Sequence, residues 1–390
     1  MQKKIIALAI AGLASTAAFA QSNVTVYGVV DLGQAFVKSS TTGGSNRADA
    51  EQPIVGRLDN NSSYIGFKGV EDLGNGLKAV FQLETGYNSD NAGGWGGARD
   101  TYVGLAGGFG TVVAGNLTHP LRAFGGKVEL MPAAAGFGTT ASVTGTILGI
   151  KTGADDRAAN AVAYVSPSFG GFTGTVAYVN GETRTGDAAV GTNQGGTNSR
   201  QYQFAGQYEN GPLFVGAGYH LAKSFGLASL TKLGGGAGGF NEDGQDASVI
   251  RLAAVYTLPT KTKLTGLYDY TQVKTGDAGG TALGIDKIKR HAWSVGVAQP
   301  FGKSTVGLEY GRSHSVKVDG DALADSGSQI YSAIYTYDLS KRTALHARVS
   351  YLNNGTNIDN GYYNNPVSNG VAQGNGNDFT GYMVGLRHTF

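Results

Sequence analysis

Apolar and polar residues alternate with a period of two in segments along the whole chain, and this alternation constrains the fold more than any other feature. In the segment 201–208, the aromatic residues Tyr202, Phe204 and Tyr208 stand at even-numbered positions, and the glutamines stand at odd-numbered positions. We call this even or odd placement the parity of a residue. Successive side chains of a β-strand point to opposite faces, so this segment has one apolar and one polar face. Beyond the first 20 residues, no apolar run approaches the ~18 residues of a membrane-spanning helix. The pattern therefore predicts an all-β chain.

Sixteen segments of this kind can be counted along the sequence. They lie near 23–37, 61–70, 77–87, 99–107, 110–116, 158–166, 172–181, 201–209, 212–223, 248–258, 263–273, 290–299, 304–315, 329–338, 343–352 and 379–390. Short turns alternate with the long polar connections 38–60, 88–98, 117–157, 182–200, 224–247, 274–290, 316–328 and 353–377. An even strand number, with short turns at one rim and long loops at the other, predicts a transmembrane antiparallel β-barrel with lipid outside and a wet lumen inside.

Aromatic residues gather near the ends of the predicted strands. They are Tyr64, Tyr87, Tyr102, Tyr178, Tyr208, Tyr219, Tyr256, Trp293, Tyr337 and Tyr351. Apolar positions within the strands are mostly Val, Leu, Ala and Gly. A soluble β-sandwich would show the same alternation, but aromatic belts at both strand ends are typical of a barrel that crosses a membrane.

The third long connection, 117–157, differs from the rest of the chain because it shows neither a period of two nor a helical stripe. An irregular insertion of this length is uncommon in a compact domain and is usually functional or disordered. We expect it to be a loop that folds inside the barrel.

Residues 1–20 have the features of a signal peptide: Lys3 and Lys4, then an apolar run, then Ala18-Phe19-Ala20 as a small-x-small cleavage site. The mature barrel domain would comprise residues 21–390, exported through the periplasm. Removal of the two lysines lowers Lys+Arg from 30 to 28, equal to the 28 Asp+Glu. A formally neutral chain without a basic stripe argues against nucleic acid as a partner.

Signatures of an enzyme or a metal site were sought in the same way. The chain contains 0 cysteines, and its 6 histidines are scattered without an HExxH spacing. Neither GxSxG nor a phosphate-binding loop occurs. Asp155-Asp156 and the pair Asp243 and Asp246 are acidic, but solvated turn carboxylates are the simpler interpretation. We therefore predict no enzymatic activity, no metal and no cofactor.

The last predicted strand ends on an aromatic residue at the C-terminus. Its alternate positions are Tyr382, Val384, Leu386, His388 and Phe390. One interpretation is an ordinary edge strand. The other, which we favour, is a signal for insertion into the outer membrane, where barrel closure removes the edge of the strand.

Six motifs together resemble one family. They are VTVYGVVDLG at 24–33, IGFKGVEDLGNGLKAVFQLETG at 65–86, RDTYVGLAGGFGTVVAGN at 99–116, NAVAYVSPSFGGF at 160–172, YDLSKRTALHARVSY at 337–351 and VGLRHTF at 384–390. In combination they resemble the trimeric general porins of Gram-negative bacteria, in the branch common in β-proteobacteria and Neisseria. The resemblance implies a homotrimer of sixteen-stranded barrels in the outer-membrane bilayer. It also implies a third loop that narrows the pore and passive diffusion of small hydrophilic solutes and ions.

Selectivity of such a pore depends on its width and on the charges that line it. By parity, the residues that point into the lumen are Tyr64, Lys68, Lys78, Glu84, Arg251, Asp269, Glu309, His346 and Arg348. In the inserted loop, Arg122, Lys127 and Glu129 are the charges best placed to reach the constriction.

The porin family usually carries an arginine ladder opposite the inserted loop, and this sequence departs from it. Tyr64 and Asn116 stand where the family commonly has arginine. Arg99 is retained, but its shared parity with Val103 predicts a position in the loop above the membrane. The resemblance implies a preference for anions, and these replacements leave the sign of the selectivity open.

Two alternatives to a general porin remain at this point. Tyr64 at the wall suggests a channel selective for sugar-like or aromatic solutes. The connections 182–200 and 353–377, rich in Gly, Asn and Thr, suit exposed loops, and a barrel with such loops could serve adhesion or receptor binding.

Overall fold

A computed structural model describes residues 23–41, 52–90, 93–131, 137–148, 150–185, 197–223, 245–275, 285–363 and 375–390. The predicted signal peptide, residues 1–20, lies outside these ranges. The strands are β1 (Asn23–Thr41), β2 (Gln52–Asn60), β3 (Tyr64–Gly74), β4 (Leu77–Asn88), β5 (Gly94–Ala98), β6 (Thr101–Gly107), β7 (Gly110–Thr118), β8 (Thr146–Ile147), β9 (Ile150–Lys151), β10 (Arg157–Val165), β11 (Phe172–Thr185), β12 (Thr197–Asn210), β13 (Leu213–Lys223), β14 (Gln245–Thr257), β15 (Lys263–Thr275), β16 (Lys287–Phe301), β17 (Ser304–Ser313), β18 (Lys317–Val318), β19 (Asp321–Ala322), β20 (Ser328–Asp338), β21 (Thr343–Asn354) and β22 (Asn377–Thr389). The helices are α1 (Pro120–Val128) and α2 (Ala141–Thr144), and neither has the length and apolarity needed to cross a bilayer.

Antiparallel pairing of neighbouring strands closes the sheet into a barrel. β2 and β3 form one strand with a break at 61–63, since both pair with β1, and β5 and β6 form one strand opposite β4. With these composite strands, sixteen strands surround the lumen. β22 pairs with β1 from Val29↔Thr389 to Thr41↔Asn377, which joins the last strand to the first. The predicted sixteen-stranded antiparallel barrel is confirmed.

The two faces of the barrel have opposite character. Outward residues are apolar and exposed, for example Val103 on β6 at 64% and Val384 on β22 at 65%. Inward residues include buried polar side chains such as Gln203, His220 and Asp269. An apolar outside with a polar inside is the arrangement of a barrel that spans a bilayer.

Some strands extend farther than the sequence predicts. The connection 38–60 is predicted as a loop, whereas β1 continues to Thr41 and β2 begins at Gln52. The end of β1 and the start of β2 pair with each other, which satisfies the hydrogen-bonding groups of their backbones. These strand ends extend above the bilayer, so their side chains need not face lipid. Their outward positions therefore include polar residues such as Lys38, and the alternation that reveals the other strands is lost.

Residues 119–156, between β7 and β10, are called the inserted segment below, and its described residues, 119–131, 137–148 and 150–156, lie inside the barrel. Helix α1 packs against β12 to β15, and α2 packs against β16, β17 and β20. Gly218 of β13 leaves the space that the side chain of Leu121 occupies, because an added Cβ would lie 2.7 Å from Leu121 Cδ1. The third long connection thus folds into the lumen, as predicted.

Apolar contacts hold the far part of the inserted segment. Phe137 and Val143 join a buried cluster with Val37 and Met383 of the wall. Ile147 and Leu148 join a second cluster formed by β13 to β16. The inserted segment is therefore packed on the wall over most of its described length.

The last long connection also folds inward. Ile358, Tyr362 and Tyr363 are at most 3% exposed. The Tyr362 ring packs on Phe137 with centroids 4.9 Å apart. The sequence predicts an exposed loop over 353–377, so the described part of this connection corrects that expectation.

Candidate pore constriction

Two arcs of the barrel carry different inward side chains. The loop arc, defined as β12 to β17 with β20, holds the two helices of the inserted segment. The charged arc, defined as β21, β22, β1 to β7 and β10, is continuous through the β22–β1 and β7–β10 pairings. Most of the partly exposed arginines of the lumen lie on the charged arc.

Arg251 of β14 attaches the inserted segment to the loop arc. Its guanidinium binds both carboxylate oxygens of Asp155 at 2.5 and 2.7 Å and those of Asp269 at 2.8 and 2.6 Å. Arg251 Nη1 also donates to the carbonyl oxygen of Leu121 at 2.8 Å. Burial would raise the pKa of the Asp155 carboxyl, but Arg251 holds that pKa below its ordinary value. Arg251 points inward as parity predicts, yet it is 1% exposed and lies under the inserted segment.

Arg290 of β16 makes a second attachment, which the sequence analysis did not identify. Its Nη1 donates to the carbonyl oxygens of Val143, at 2.5 Å, and Thr146. Its Nη2 donates to the carbonyl oxygen of Thr144 at 2.6 Å. These carbonyls lie at the end of α2, where backbone acceptors lack partners within the helix. A buried guanidinium thus ends α2 and holds it on the wall.

The predicted constriction residues Lys127 and Glu129 lie two positions apart in sequence but have different surroundings. Glu129 is buried, and its Oε2 accepts hydrogen bonds from Thr140 N at 2.9 Å and Thr140 Oγ1 at 3.0 Å. Lys127 is partly exposed, binds Glu209, and lies 4.5 Å above the Phe214 ring. Glu129 therefore shapes the inserted segment, and Lys127 attaches α1 to the wall.

A β-bulge places Arg99 in the lumen, contrary to the prediction of a loop position. Gln82 of β4 pairs with Tyr102, but Thr85 pairs with Ala98, so the second strand uses one residue more over this interval. The extra residue reverses the parity of Arg99 relative to Val103. The Arg99 guanidinium consequently turns inward and binds the Glu84 carboxylate.

In the described part of the charged arc, four partly exposed arginines are paired with carboxylates. They are Arg57 with Asp59, Arg99 with Glu84, Arg157 with Asp100, and Arg387 with Asp31. In three of them the arginine side chain is more exposed than the acid, at 18% against 8%, 20% against 6% and 29% against 0%. The pair of Arg157 is the exception, at 17% against 24%. Three of the four pairs thus turn the guanidinium toward the lumen and the carboxylate toward the wall.

The other predicted lumen residues of β3, β4 and β7 have distinct partners. Arg99 lies 4.3 Å above the Tyr64 ring, and Lys68 Nζ lies 5.0 Å above the Tyr27 ring. Asn116 donates its amide hydrogens to the carbonyl oxygens of Ala98 and Arg99 at 3.2 and 2.7 Å, which fixes the bulge. Lys78 is exposed and stands opposite Asp72 at the turn between β3 and β4.

Arg348 is buried beside Asp31 rather than exposed to the lumen. Its Nη2 lies 3.8 Å from Asp31 Oδ2, and His346 Nε2 lies 3.0 Å from Asp31 Oδ1. Arg387 completes the group, so two guanidiniums and one imidazole surround a single carboxylate. The cluster has an excess of positive charge even with His346 neutral.

The face of the inserted segment between the two arcs carries Arg122 and Asp156. Arg122 Nη1 donates to the carbonyl oxygen of Asp155 at 2.5 Å. Burial raises the pKa of the Asp156 carboxyl, and Tyr363 donates to this carboxyl at 3.5 Å. Asp155, considered above as a cation ligand with Asp156, binds the Arg251 guanidinium instead. Asp243 lies outside the described residues.

Two histidine rings meet where the inserted segment leaves β7. The His119 and His220 centroids are 5.3 Å apart, and both side chains are buried. His119 Nδ1 lies 2.8 Å from the carbonyl oxygen of Gly153. Burial lowers the pKa of His119 from 6.5 to about 4.

Acidification should loosen this junction. The pKa of His119 is about 4 when the inserted segment is attached and 6.5 when the imidazole is solvated. Protonation therefore favours the detached state below pH 6.5, and the neutral, buried ring stabilises the attachment fully above that pH. This contribution is lost as the pH falls toward 4, and complete loss corresponds to about 3 kcal/mol. We expect single-channel current noise to rise over this range and H119F, which cannot take up a proton, to flatten the profile. An identical profile for H119F would assign the pH dependence to other groups.

The proposed insertion signal lies on the outer face of β22. Tyr382, Val384 and Leu386 are exposed, and Phe390 is 43% exposed. The backbone N–H of Phe390 donates to the Gly28 carbonyl oxygen at 3.1 Å. The terminal aromatic thus sits at the closure of the barrel, and its role in insertion stays a prediction.

Comparison with known proteins matches nearly the whole chain. The family model of the Gram-negative porins matches residues 7–357. Outer membrane porin protein 32 of Delftia acidovorans is 34% identical over 403 residues, covering 100% of both chains. Major outer membrane protein P.IB of Neisseria gonorrhoeae is 30% identical, covering 92% of this chain and 96% of that protein.

Solved structures show the same relationship. The anion-selective porin from Comamonas acidovorans superposes with a TM-score of 0.69 at 29% identity, covering 95% of this chain and 100% of that one. The shared features are the closed barrel and a match in sequence over almost its whole length. The chain therefore belongs to the Gram-negative porin family and forms an outer-membrane channel for the passive diffusion of small hydrophilic solutes.

Proposed function

We propose that this porin prefers anions, and that solutes pass between the charged arc and the inserted segment. The observation that carries the proposal is the orientation of the ion pairs of Arg57, Arg99 and Arg387. Each presents its guanidinium to the lumen and its carboxylate to the wall. A confined aqueous channel lined in this way has a positive potential, which raises the local concentration of anions.

Neighbouring groups support the same sign. Lys68 is exposed on the charged arc, and Arg122 projects from the inserted segment toward a carbonyl rather than a carboxylate. Arg348 adds a buried positive charge beside Asp31. The relative from Comamonas acidovorans is described as anion-selective, which agrees with this proposal.

A preference for aromatic or sugar-like solutes has less support. The Tyr64 ring, which suggested it, has the Arg99 guanidinium above it at 4.3 Å and the Tyr27 ring at its edge at 6.1 Å. A solute cannot stack on a face that is already covered. The described part of the last connection is packed inside, which also weakens the case for an adhesive loop there. We assign no enzymatic role.

We also propose that the chain forms a homotrimer, as the resemblance to the trimeric porins implies. The exposed outer residues of β6 and β7 are aliphatic or small, including Val103, Leu105, Val112 and Ala114. The hairpin between them contains the glycines at 107, 108 and 110. A smooth aliphatic surface of this kind suits close packing against a second barrel.

Planar-bilayer recording of the refolded mature protein under a salt gradient tests both proposals. We expect conductance steps in groups of three and a reversal potential of the sign given by anion permeation. Single independent steps would contradict the trimer. A reversal potential of the opposite sign would contradict the anion preference while leaving the channel itself intact.

A further inference from the structure

Two buried histidines and a glutamine meet where the inserted segment joins the loop arc. His119 directly precedes α1, and His220 lies on β13. Gln203 of β12 stands directly opposite His220 in the sheet, so these two side chains are neighbours on the inward face. All three side chains are at most 3% exposed. One residue of the inserted segment thus meets two residues of the wall.

These three side chains carry five polar atoms without a hydrogen-bond partner in the described part of the chain. The atoms are His119 Nε2, His220 Nδ1 and Nε2, and Gln203 Oε1 and Nε2. Buried polar atoms are normally hydrogen-bonded, because an unpaired one costs free energy. So many unpaired atoms on neighbouring side chains point to a ligand that binds several of them at once.

His119 is held in a form that suits a metal ligand. Its Nδ1 lies 2.8 Å from the carbonyl oxygen of Gly153, and since a carbonyl only accepts, Nδ1 carries the hydrogen. The lone pair of Nε2 is then free in the neutral ring. The backbone N–H of His119 donates to the Asp156 carbonyl oxygen at 3.3 Å, which fixes the residue further. Metal-binding histidines commonly have their second nitrogen bound to a carbonyl in this way.

The separation of the two imidazoles fits a single ion between them. Their centroids are 5.3 Å apart, and the ring planes are inclined by 44°. Tetrahedral ligation with metal–nitrogen distances of about 2.0–2.1 Å places two bound imidazole centroids about 5 Å apart. Contact between the rings alone would leave both nitrogens of His220 unpaired.

The charged groups around the two rings are compatible with a cation. The cations that act on the rings are Arg122 and Arg251. Arg251 is balanced by the carboxylates of Asp155 and Asp269, and Arg122 lies near the carboxyl of Asp156. Asp155 also acts on both rings in the direction that favours positive charge there. A bound metal ion is therefore not opposed by an unbalanced positive charge.

We propose that His119 Nε2, one ring nitrogen of His220 and Gln203 Oε1 bind a divalent transition-metal ion of the zinc class. In the described ranges, no acidic residue or third histidine joins the two rings in a ligand group, so water completes the coordination. Imidazole favours zinc over Ca²⁺ and Mg²⁺, which prefer carboxylate oxygens.

Such an ion links the start of the inserted segment to β12 and β13. The proposal departs from the expectation of no metal that was drawn from the scattered histidines. Positions 119 and 220 lie far apart in the chain, and only the folding of the inserted segment brings the two rings together.

The zinc content of the refolded, untagged mature protein tests the proposal. Every variant is built on H291Q/H314Q/H388Q, which removes three exposed histidines that could bind zinc themselves. Because the site is buried, Zn²⁺ is present during refolding, and free metal is then removed. We expect elemental mass spectrometry to find about one zinc ion per chain in this starting variant. Addition of H119F or H220F should abolish zinc retention.

Two further variants locate the ligands. H346Q is the control, because His346 is also buried but lies beside Asp31, and it should retain zinc. Q203L should weaken the affinity, measured by chelator competition, by at least about tenfold. Far-ultraviolet circular dichroism and heat-dependent migration in detergent gels would show that each variant is folded.

Zinc should also hold the inserted segment in place, so the loaded protein should show lower current noise than chelator-treated protein, and H220F should remove the difference. The acid titration described above uses chelator-treated protein, so that metal does not compete with protons. A folded starting variant that retains no zinc would overturn the proposal. So would equal retention by H119F and H220F, or loss of zinc in H346Q alone.

Discussion

Replacing Arg251 by leucine should detach the first part of the inserted segment and increase the conductance of each pore. The substitution leaves the carboxylates of Asp155 and Asp269 buried without the guanidinium that binds both of them. Removing one partner from a buried ionic group costs about 3–5 kcal/mol, because the remaining charge is uncompensated. Conductance, current noise and the temperature at which the barrel unfolds in detergent would all report the change.

A rescue variant distinguishes loss of charge balance from loss of packing. D155N/R251L/D269N removes the uncompensated charges and should recover much of the stability lost in R251L. R342L removes an exposed arginine at a turn and should have little effect. If R251L conducts and unfolds as wild type does, then Arg251 is not what holds the inserted segment on the wall.

Neutralising the exposed arginines of the charged arc should reverse the selectivity of the pore. R57Q/R99Q/R387Q removes three guanidiniums that face the lumen and leaves the carboxylates of Asp59, Glu84 and Asp31 behind them. Each barrel then loses three positive charges from its charged arc. We expect the reversal potential in a salt gradient to change sign, from anion to cation preference.

The matched control is K303Q/K341Q/R342Q, which removes the same charge from exposed positions near the short-turn rim. Screening at ordinary salt limits the reach of such distant charges to about 10 Å. The control should therefore keep the wild-type sign. A shift of equal size in both variants would mean that overall charge, and not the charged arc, sets the selectivity.

The barrel could be predicted from sequence because every spanning strand must present an apolar face to lipid. That requirement acts on each strand separately, so it appears as local alternation. Parity alone also places Asp31 and Arg387 inside, since they fall between outward residues in VTVYGVVDLG and VGLRHTF. The strand ends above the lipid band could not be predicted from alternation, because no apolar face is needed there.

The site was less predictable for two physical reasons. A bulge adds one residue opposite Glu84 and so reverses the parity from which the position of Arg99 was inferred. Burial of Arg251 depends on Asp155, which lies 96 residues away in the chain, and on an inserted segment with no periodic pattern. Arg57 and Arg157 also carry guanidiniums on the charged arc, and the alternation of residues missed both because they lie in the predicted connections 38–60 and 117–157.

The pairing of β1 with β22 has a consequence for how the chain matures. β1 can complete its hydrogen bonds only with β22, which is synthesised much later, since Val29 pairs with Thr389. Contacts between such distant parts of a chain form slowly, and until they form both strands expose unpaired backbone to other chains. Closure of the barrel must therefore await the synthesis of β22. A chain that lacks β22 would be a target for proteolysis or aggregation rather than a smaller pore.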